Sequence, residues 1–135
     1  MDNLSPSERS KIMARVRSKN SRPEMVVRRL IHAEGYRYRL HVQDLPGCPD
    51  MVFRGRRKVI FVHGCFWHRH ESCALARMPK SRIDFWAPKL EANKKRDERN
   101  KRHLEDEGWT VMTIWECEIS DTGRLKIAIR RFLDA

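Results

Sequence analysis

Apolar residues recur at helical spacing in the segment that begins near residue 21. Ser21-Arg22-Pro23-Glu24 has the residue types of a helix start, because serine caps the first turn, proline fits the first helical position and glutamate completes the capping box. The apolar positions that follow are Val26, Val27, Leu30 and Ile31. Gly35 then ends the pattern. The segment predicts an amphipathic helix in which Glu24 serves as a capping residue.

A two-residue alternation replaces the helical spacing in the next segments. Residues 36–42 alternate tyrosines and aliphatic residues with basic residues, which predicts a strand that carries His41 on a basic outer face. Residues 51–53 and 59–63 are short apolar runs joined by a short basic segment, so they predict an antiparallel hairpin. Residues 109–115 form a further apolar run and predict a core strand.

Three other segments predict helices. Residues 84–107 are strongly charged, and residues 123–133 carry apolar side chains at core spacing. The basic segment 1–20 opens with a second capping signature, Ser5-Pro6-Ser7-Glu8, and predicts either a helical arm that contacts DNA or an amphipathic helix docked on the core. The order of elements predicts a single mixed α/β domain over residues 1–135, with a small central sheet flanked by helices.

The chain is short and strongly basic. Its 135 residues suffice for one core, so recognition and chemistry must share one domain. Lysine and arginine number 29 against 18 acidic residues, and the net charge of +11 favours a polyanionic partner such as DNA. We find no membrane-spanning apolar run and no secretory signal pattern. We therefore expect a cytoplasmic protein, associated with the nucleoid through DNA, whose thiols stay reduced.

Cysteines and histidines are concentrated between residues 45 and 73. A closed tetrahedral zinc site needs four soft ligands, and a loop followed by a distant strand end offers them: Cys65, His70, Cys73 and Cys117. His68 and Cys48 are competing donors. The alternative interpretation is a set of buried thiols and a surface histidine. We favour one structural zinc ion, because reduced cysteines interleaved with histidines are typical of metal sites.

Asp50 is the candidate for catalytic metal binding. It stands directly before one strand, and the next strand ends at Val62-His63. A carboxylate at the edge of a sheet can hold Mg²⁺ against a scissile phosphate, although Pro-Asp pairs are also common in turns.

His63 and His68 are the candidate acid and base. Each can exchange protons near neutral pH, although either one alone is as consistent with a structural histidine. Asp97 falls on the helix face that leucines bury. It can therefore orient one of these histidines, or pair with Lys101 one helical turn later.

Three aromatic residues stand where a core does not need them. Phe66 and Trp67 are adjacent in a loop, so both cannot easily enter one core, and Trp86 falls near the start of the charged segment 84–107. Side chains of this kind can wedge between stacked bases of a deformable duplex. Packing around the predicted zinc loop is the alternative.

A family resemblance rests on five blocks that occur in order between about Ser10 and Cys117: LPGCPDMVF, VIFVHGCFWHRHESC, FW at positions 85–86, NKKRDERN and TIWEC. Together they resemble the very-short-patch mismatch repair endonucleases, the Vsr family. HGCFWH is the most specific of these blocks. The resemblance implies a fold similar to the core of type II restriction endonucleases, with a structural zinc site added.

The resemblance also implies a reaction, which is a Mg²⁺-dependent cut in one strand, 5′ of the thymine of a T·G mismatch. Such mismatches arise when 5-methylcytosine deaminates. The implied ions are two catalytic Mg²⁺ and one structural Zn²⁺. The implied partners are double-stranded DNA and, functionally, a cytosine-5 methyltransferase and mismatch repair proteins. We expect a monomer that does not bind membranes.

Individual roles follow from the same resemblance. Asp50 and the backbone carbonyl of Val62 would bind Mg²⁺, with Glu24 beside them. His68 would activate the attacking water, His63 would stabilise or protonate the phosphate, and Asp97 would support both histidines. The zinc ligands would be Cys65, His70, Cys73 and Cys117, and the intercalating residues Phe66, Trp67 and Trp86. The N-terminal basic helix would lie in the minor groove.

Two other functions remain open at the level of sequence. One is a restriction-like or structure-selective nuclease that uses the same site without mismatch preference. The other is a zinc-stabilised DNA-binding protein without catalytic activity.

Overall fold

A computed structural model of the chain describes residues 21–135. The predicted basic helix of residues 1–20, with its capping signature, lies outside these residues. The described part contains three helices: α1 (Arg22–Ala33), α2 (Ile83–Asp106) and α3 (Thr122–Asp134). Its strands are β1 (Arg39–Leu40), β2 (Met51–Phe53), β3 (Lys58–His63) and β4 (Thr110–Trp115). The predicted mixed α/β class is confirmed.

The four strands form one mixed sheet in the order β1-β2-β3-β4. The β2 and β3 strands make the predicted antiparallel hairpin, with Met51 opposite Ile60. The β4 strand returns after α2 and pairs with β3 in parallel, with His63 opposite Trp115. The hairpin therefore brings the start of β2 next to the end of β3, and the parallel pairing brings the end of β4 to the same edge.

Helices cover both faces of the sheet, and β3 is buried between them. One core cluster joins Ile60 to side chains of α1 and α3, including Val27 and Ile129. The other cluster joins Val59 and Phe61 to α2 through Leu104 and to Trp109. A strand covered on both faces reads as a continuous apolar run, which is why residues 59–62 show little alternation.

The helix boundaries agree closely with the prediction. Ser21 caps α1, its Oγ accepting a hydrogen bond from the Glu24 amide at 3.4 Å, and Gly35 follows the helix at a φ of +95°. A residue without a Cβ adopts this left-handed conformation at little cost. None of the helices in the described part of the chain is long and apolar enough to cross a membrane.

The first predicted strand is the main correction to the fold. Instead of the whole segment 36–42, only Arg39–Leu40 pairs as a strand, and the Leu40 side chain is exposed. His41 then takes a φ of +47°, which lies outside the β region. The in-and-out alternation ends at this residue, so His41 does not lie on an outer basic face.

Candidate active site and metal cluster

The β2–β3 hairpin places Asp50 at the end of β3. Asp50 directly precedes β2, and its Oδ2 accepts a hydrogen bond from the backbone N–H of Val62 at 2.7 Å. The two residues that sequence reasoning paired as metal ligands are therefore in contact. The contact uses the Val62 amide, and it fixes the Asp50 carboxylate at the sheet edge.

Glu24 and His41 complete a group of three around Asp50. Glu24 belongs to the first turn of α1, and its side chain is only 3% exposed. Glu24 Oε2 lies 2.7 Å from His41 Nε2, and the same nitrogen lies 4.0 Å from Asp50 Oδ1. The three side chains offer ligand atoms that all lie within 4.8 Å of one another. Glu24 therefore lies in the first turn of α1, as predicted for a capping residue, and its side chain also belongs to the group around Asp50.

The electrostatics of this group favour a cation. The pKa of Asp50 is raised to about 7, chiefly by burial and also by the neighbouring Glu24 carboxylate, against the opposing hydrogen bond from the Val62 N–H. Two crowded carboxylates repel each other when both are ionised, and either a proton or a metal ion relieves the repulsion. Carboxylate oxygens are the ligands that Mg²⁺ prefers. The residues present therefore fit a hard divalent cation.

A second group consists of His63, His68 and Asp97. His68 Nδ1 lies 2.5 Å from Asp97 Oδ2, and the rings of His63 and His68 stack at 3.8 Å with planes 7° apart. The pKa of His63 is lowered to about 3, chiefly by burial and also by the nearby His68, whereas Asp97 acts in the opposite direction. His63 is therefore a neutral imidazole at neutral pH. Asp97 was predicted to pair either with a histidine or with Lys101, and in the structure its partner is His68.

Both groups line one groove of about 950 Å³. Asp50, Glu24 and His41 lie on one part of its wall, and His63 and His68 on another. The groove therefore has both carboxylates and imidazoles in its lining.

The three predicted wedge residues form a cluster at this groove. Phe66 lies 5.0 Å from Trp67 and 5.7 Å from Trp86, measured between ring centroids, and all three rings meet edge to face. Each is partly exposed. Leu75, which is 51% exposed, adds an apolar side chain to the groove lining and was not singled out in the sequence.

A third group gathers the four predicted zinc ligands, Cys65, His70, Cys73 and Cys117, whose donor atoms lie within 4.8 Å of one another. The sulfurs of Cys65 and Cys117 each lie 3.5 Å from His70 Nδ1. Burial raises the pKa of the Cys65 thiol to about 12, so a thiolate at this position requires a nearby cation. Three sulfurs and one imidazole nitrogen are a donor set that suits tetrahedral zinc.

The two competing donors lie elsewhere. His68 is engaged by Asp97, and Cys48 lines the groove with Asp50. The fold thus separates His70 from His68, although the two residues are only two positions apart. The intervening Arg69 has a φ of +54°, which turns the chain between them.

Two polar side chains attach the loop that follows β3 to the rest of the fold. Asn93 of α2 donates a hydrogen bond to the Trp67 carbonyl at 3.3 Å, and Glu116 accepts one from the Cys65 amide at 3.3 Å. Sequence reasoning placed Asn93 on the buried face of its helix but gave Glu116 no role. It also missed His41. The alternating pattern of residues 36–42 places His41 on the outer face. Its position in the site depends on its left-handed backbone, which that pattern does not indicate.

Comparison with known proteins identifies the family. The family model for the DNA mismatch endonuclease Vsr matches residues 1–75. The chain is 56% identical over 133 residues to the type II nicking enzyme V.XorIIP of Xanthomonas oryzae pv. oryzae, covering 98% of this chain and 97% of that relative. This chain belongs to the Vsr family of DNA endonucleases.

Other Vsr-family relatives match over most of their length. The DNA mismatch endonuclease Vsr of Escherichia coli is 39% identical over 119 residues, which cover 88% of this chain and 74% of that protein. The type II nicking enzyme V.NmeAIP of Neisseria meningitidis serogroup A is 38% identical, covering 99% of this chain and 98% of that relative. The sequence-based assignment to the Vsr family is therefore confirmed, and with it a DNA-cutting activity.

Proposed function

We propose that this Vsr-family endonuclease nicks double-stranded DNA 5′ of the thymine in a T·G mismatch, by Mg²⁺-dependent hydrolysis of one phosphodiester. The mismatch would arise from deamination of 5-methylcytosine, which gives the enzyme a functional link to a cytosine-5 methyltransferase and to mismatch repair proteins. The observation that carries the proposal is the meeting of Asp50 and Glu24 with the His68–Asp97 pair in one groove. Relatives named as a mismatch endonuclease and as nicking enzymes support it.

Asp50 is the proposed ligand of the catalytic Mg²⁺, with Glu24 and the backbone carbonyl of Val62 beside it. When bound, Mg²⁺ supplies positive charge that neutralises the scissile phosphate. The Val62 amide holds Asp50 in place through the 2.7 Å hydrogen bond. The family resemblance implies two ions, and the Glu24 and Asp50 carboxylates are the groups in this groove that would share them.

His68 is the proposed general base. The Asp97 carboxylate can only accept a hydrogen bond, so the Nδ1 atom that contacts it must carry the proton. This leaves Nε2 of His68 as the acceptor for a proton from the attacking water. Asp97 also stabilises the imidazolium that forms when His68 takes up that proton.

His63 is the proposed hydrogen-bond donor to the phosphate. Because its pKa is lowered to about 3, His63 stays uncharged at neutral pH and can offer a ring N–H to a phosphate oxygen without trapping a proton from water. Stacking on His68 fixes the plane of both rings. The geometry therefore supports a division of roles, in which His68 moves the proton and His63 orients the phosphate.

Phe66, Trp67 and Trp86 are the proposed wedge. A T·G pair is held less regularly than a Watson–Crick pair, so parting it from its neighbour costs less. A cluster of partly exposed rings beside the catalytic groove can insert there and position the thymine strand at Asp50. The four-residue Cys/His group is the proposed site of one structural Zn²⁺, which would hold the loop that bears Phe66 and Trp67.

The proposal is tested by nicking assays on four matched duplexes of one sequence: T·G, T·A, C·G and a nicked marker. Each intact duplex is incubated with Mg²⁺ and, separately, with a chelator. We expect cleavage only of the T·G duplex, only in the thymine strand and only with Mg²⁺. Equal cleavage of the T·A duplex would instead show a nuclease without mismatch preference.

The control variant for catalysis is Asp50→Asn, which keeps the size of the side chain and removes the carboxylate. It should bind the T·G duplex as the unmodified protein does and leave it uncut. If Asp50→Asn nicked at the full rate, the catalytic assignment would be wrong. If the unmodified protein bound the duplex but cut nothing with any divalent cation, the protein would be a DNA-binding protein without catalytic activity.

A further inference from the structure

We propose that His41 is a positioning residue of the reaction, which acts by holding the Glu24 carboxylate in the orientation that serves Asp50. The inference rests on the proposed function, because it assigns a partner to one of its catalytic residues. His41 Nε2 lies 2.7 Å from Glu24 Oε2 and 4.0 Å from Asp50 Oδ1. The His41 side chain is 11% exposed and that of Glu24 is 3% exposed, so solvent competes little for this contact.

The backbone places His41 at Asp50 by the register of the sheet. Leu40 pairs with Met51, so His41 and Asp50 are the next pair beyond the ladder. The His41 N–H donates to the Asp50 carbonyl at 3.2 Å. One residue is thus tied to Asp50 through its backbone and to Glu24 through its side chain.

The left-handed conformation of His41 is what aims its ring into the groove. A φ of +47° is uncommon for a residue with a Cβ, and histidine is among the residues that adopt it more often. Such a conformation persists where the surroundings determine it, and it is found disproportionately at functional sites. At His41 this backbone conformation allows the ring to form the buried contact with Glu24.

His41 fixes Glu24 by direct hydrogen bonding. A carboxylate has no proton to donate, so the contact requires a protonated Nε2 on His41. Arg28, one helical turn later in α1, forms an ion pair with the same Oε2, at 3.6 Å from its Nη1. Glu24 Oε2 is therefore held by one hydrogen bond and one ion pair, which limit rotation of the carboxylate about its terminal torsion. A fixed carboxylate meets the catalytic cation without reorganisation, and this is the source of the expected rate effect.

The test is a double-mutant cycle of His41→Ala and Glu24→Gln, measured as the single-turnover nicking rate on the T·G duplex. We expect His41→Ala to lower the rate about 10- to 100-fold, the range found for residues that orient a metal ligand, and to leave duplex affinity unchanged. In the Glu24→Gln background the same substitution should change the rate less than about 2-fold, because the group it orients is already altered. Equal effects in both backgrounds would overturn the proposal.

Two further variants make the test specific. His41→Gln keeps an N–H at a similar reach and should recover part of the rate, whereas a purely steric role would be served as well by His41→Leu. His103→Ala is the matched control, since His103 is also paired with a glutamate, Glu107, at 3.6 Å, but is exposed near the far end of α2. It should cut at the unmodified rate. If His41→Ala fails to fold, the cycle is run with His41→Leu, which fills the space of the ring and has no side-chain N–H.

A readout independent of activity is the tautomer of the His41 ring, observed by nitrogen-15 NMR without metal or DNA. In the unmodified protein we expect the ring proton on Nε2. In Glu24→Gln we expect the nitrogen-15 signals of the ring to change, because the hydrogen bond that fixes this tautomer is altered. An unchanged ring signal in that variant would contradict the contact. An unmodified enzyme that failed to nick would instead refute the proposed function, and a full rate in His41→Ala would refute only the role of His41.

Discussion

At the scale of single residues, burial changes the pKa values of side chains in the candidate site in opposite directions. The pKa of Asp50 is raised to about 7, so a proton and a cation compete for its carboxylate near neutral pH. The pKa of His63 is lowered to about 3, so its ring is uncharged at the same pH. His68, a few residues later in the chain, is instead paired with a carboxylate. The same two residue types, aspartate and histidine, are thus proposed as metal ligand, general base, orienting group and hydrogen-bond donor to the phosphate, according to what surrounds them.

Cation binding should therefore depend on pH through Asp50. Its pKa is raised to about 7, so below that pH the cation must displace a proton, and above it the carboxylate is already ionised. We expect the apparent affinity for Mg²⁺ to fall by up to about tenfold for each pH unit below about 7, and to level off at higher pH. Calorimetric titration of Mg²⁺ into the DNA-free protein measures this. His63 adds nothing in this range, since its pKa is about 3.

The control for this prediction is Asp50→Asn, in which the steep part of the pH profile should vanish together with most of the cation affinity. A profile that keeps the same slope in Asp50→Asn would assign the proton to another group. An affinity that is constant from about pH 6 to about pH 8 would contradict the raised pKa.

Asp97→Asn should separate orientation of His68 from binding of DNA. The amide has the shape of the carboxylate but can present an N–H to the ring, which favours the wrong tautomer and no longer stabilises the imidazolium. We expect the single-turnover nicking rate to drop about 10- to 100-fold and the affinity for the T·G duplex to be unchanged. A rate equal to that of the unmodified protein would show that Asp97 does not act through His68.

At the scale of elements, the loop after β3 carries most of the candidate site residues, and side chains from two other parts of the fold hold its backbone. The segment after β3 holds the proposed wedge residues Phe66 and Trp67, the proposed base His68 and three candidate metal ligands within a dozen positions. Asn93 of α2 and Glu116 after β4 each bind its backbone. The loop is thus held by the two elements that follow it in the chain.

The aromatic cluster should decide mismatch preference. Phe66→Ala or Trp67→Ala should weaken binding of the T·G duplex by about 1–3 kcal/mol, because each ring stacks on a base that the mismatch leaves accessible. Binding of the T·A duplex should change much less, and fluorescence anisotropy of both duplexes measures the difference.

Ile127→Ala is the control for the loss of an exposed apolar side chain, since Ile127 is 56% exposed on α3. It should leave both affinities as they are. Equal losses for T·G and T·A in the Phe66 and Trp67 variants would mean that the rings bind DNA without sensing the mismatch.

At the scale of the whole molecule, the Cys/His group ties together distant parts of the chain. Three of its members come from the loop after β3, and Cys117 follows β4, so a metal held there closes a long segment that includes all of α2. Cross-linking of this kind stabilises a small domain, whose core alone gives a modest free energy of unfolding.

We expect about one tightly held Zn²⁺ per chain, and a lower midpoint of thermal unfolding after a strong chelator. Cys117→Ser should lose the metal and unfold at a lower temperature. Cys48→Ser is the matched control, because Cys48 lies in the groove and outside the Cys/His group, and it should keep its zinc. Metal analysis combined with circular dichroism measures both. A protein that contains no zinc and unfolds at the same temperature after chelator would mean that the four residues are unrelated thiols and a histidine that bind no metal.

Sequence by itself determined the elements, because their signals are local. Helix caps, glycine stops and hydrophobic periodicity act within a few residues, and these predicted α1, α2, α3, the β2–β3 hairpin and β4 within a few positions. The candidate residues could also be named, since Asp50, His63, His68 and the Cys/His group stand in a motif with few alternative uses. The family followed from that motif.

Tertiary structure alone decided which of these residues meet. The register of the hairpin brings Asp50 to Val62, the start of α1 brings in Glu24, and α2 brings Asp97 to His68 rather than to Lys101. His41 was predicted on the wrong face, because its left-handed backbone turns the ring toward Glu24 and Asp50, which lie outside the alternating segment 36–42. Local patterns carry no information about such contacts, whereas burial among them sets each pKa and each orientation.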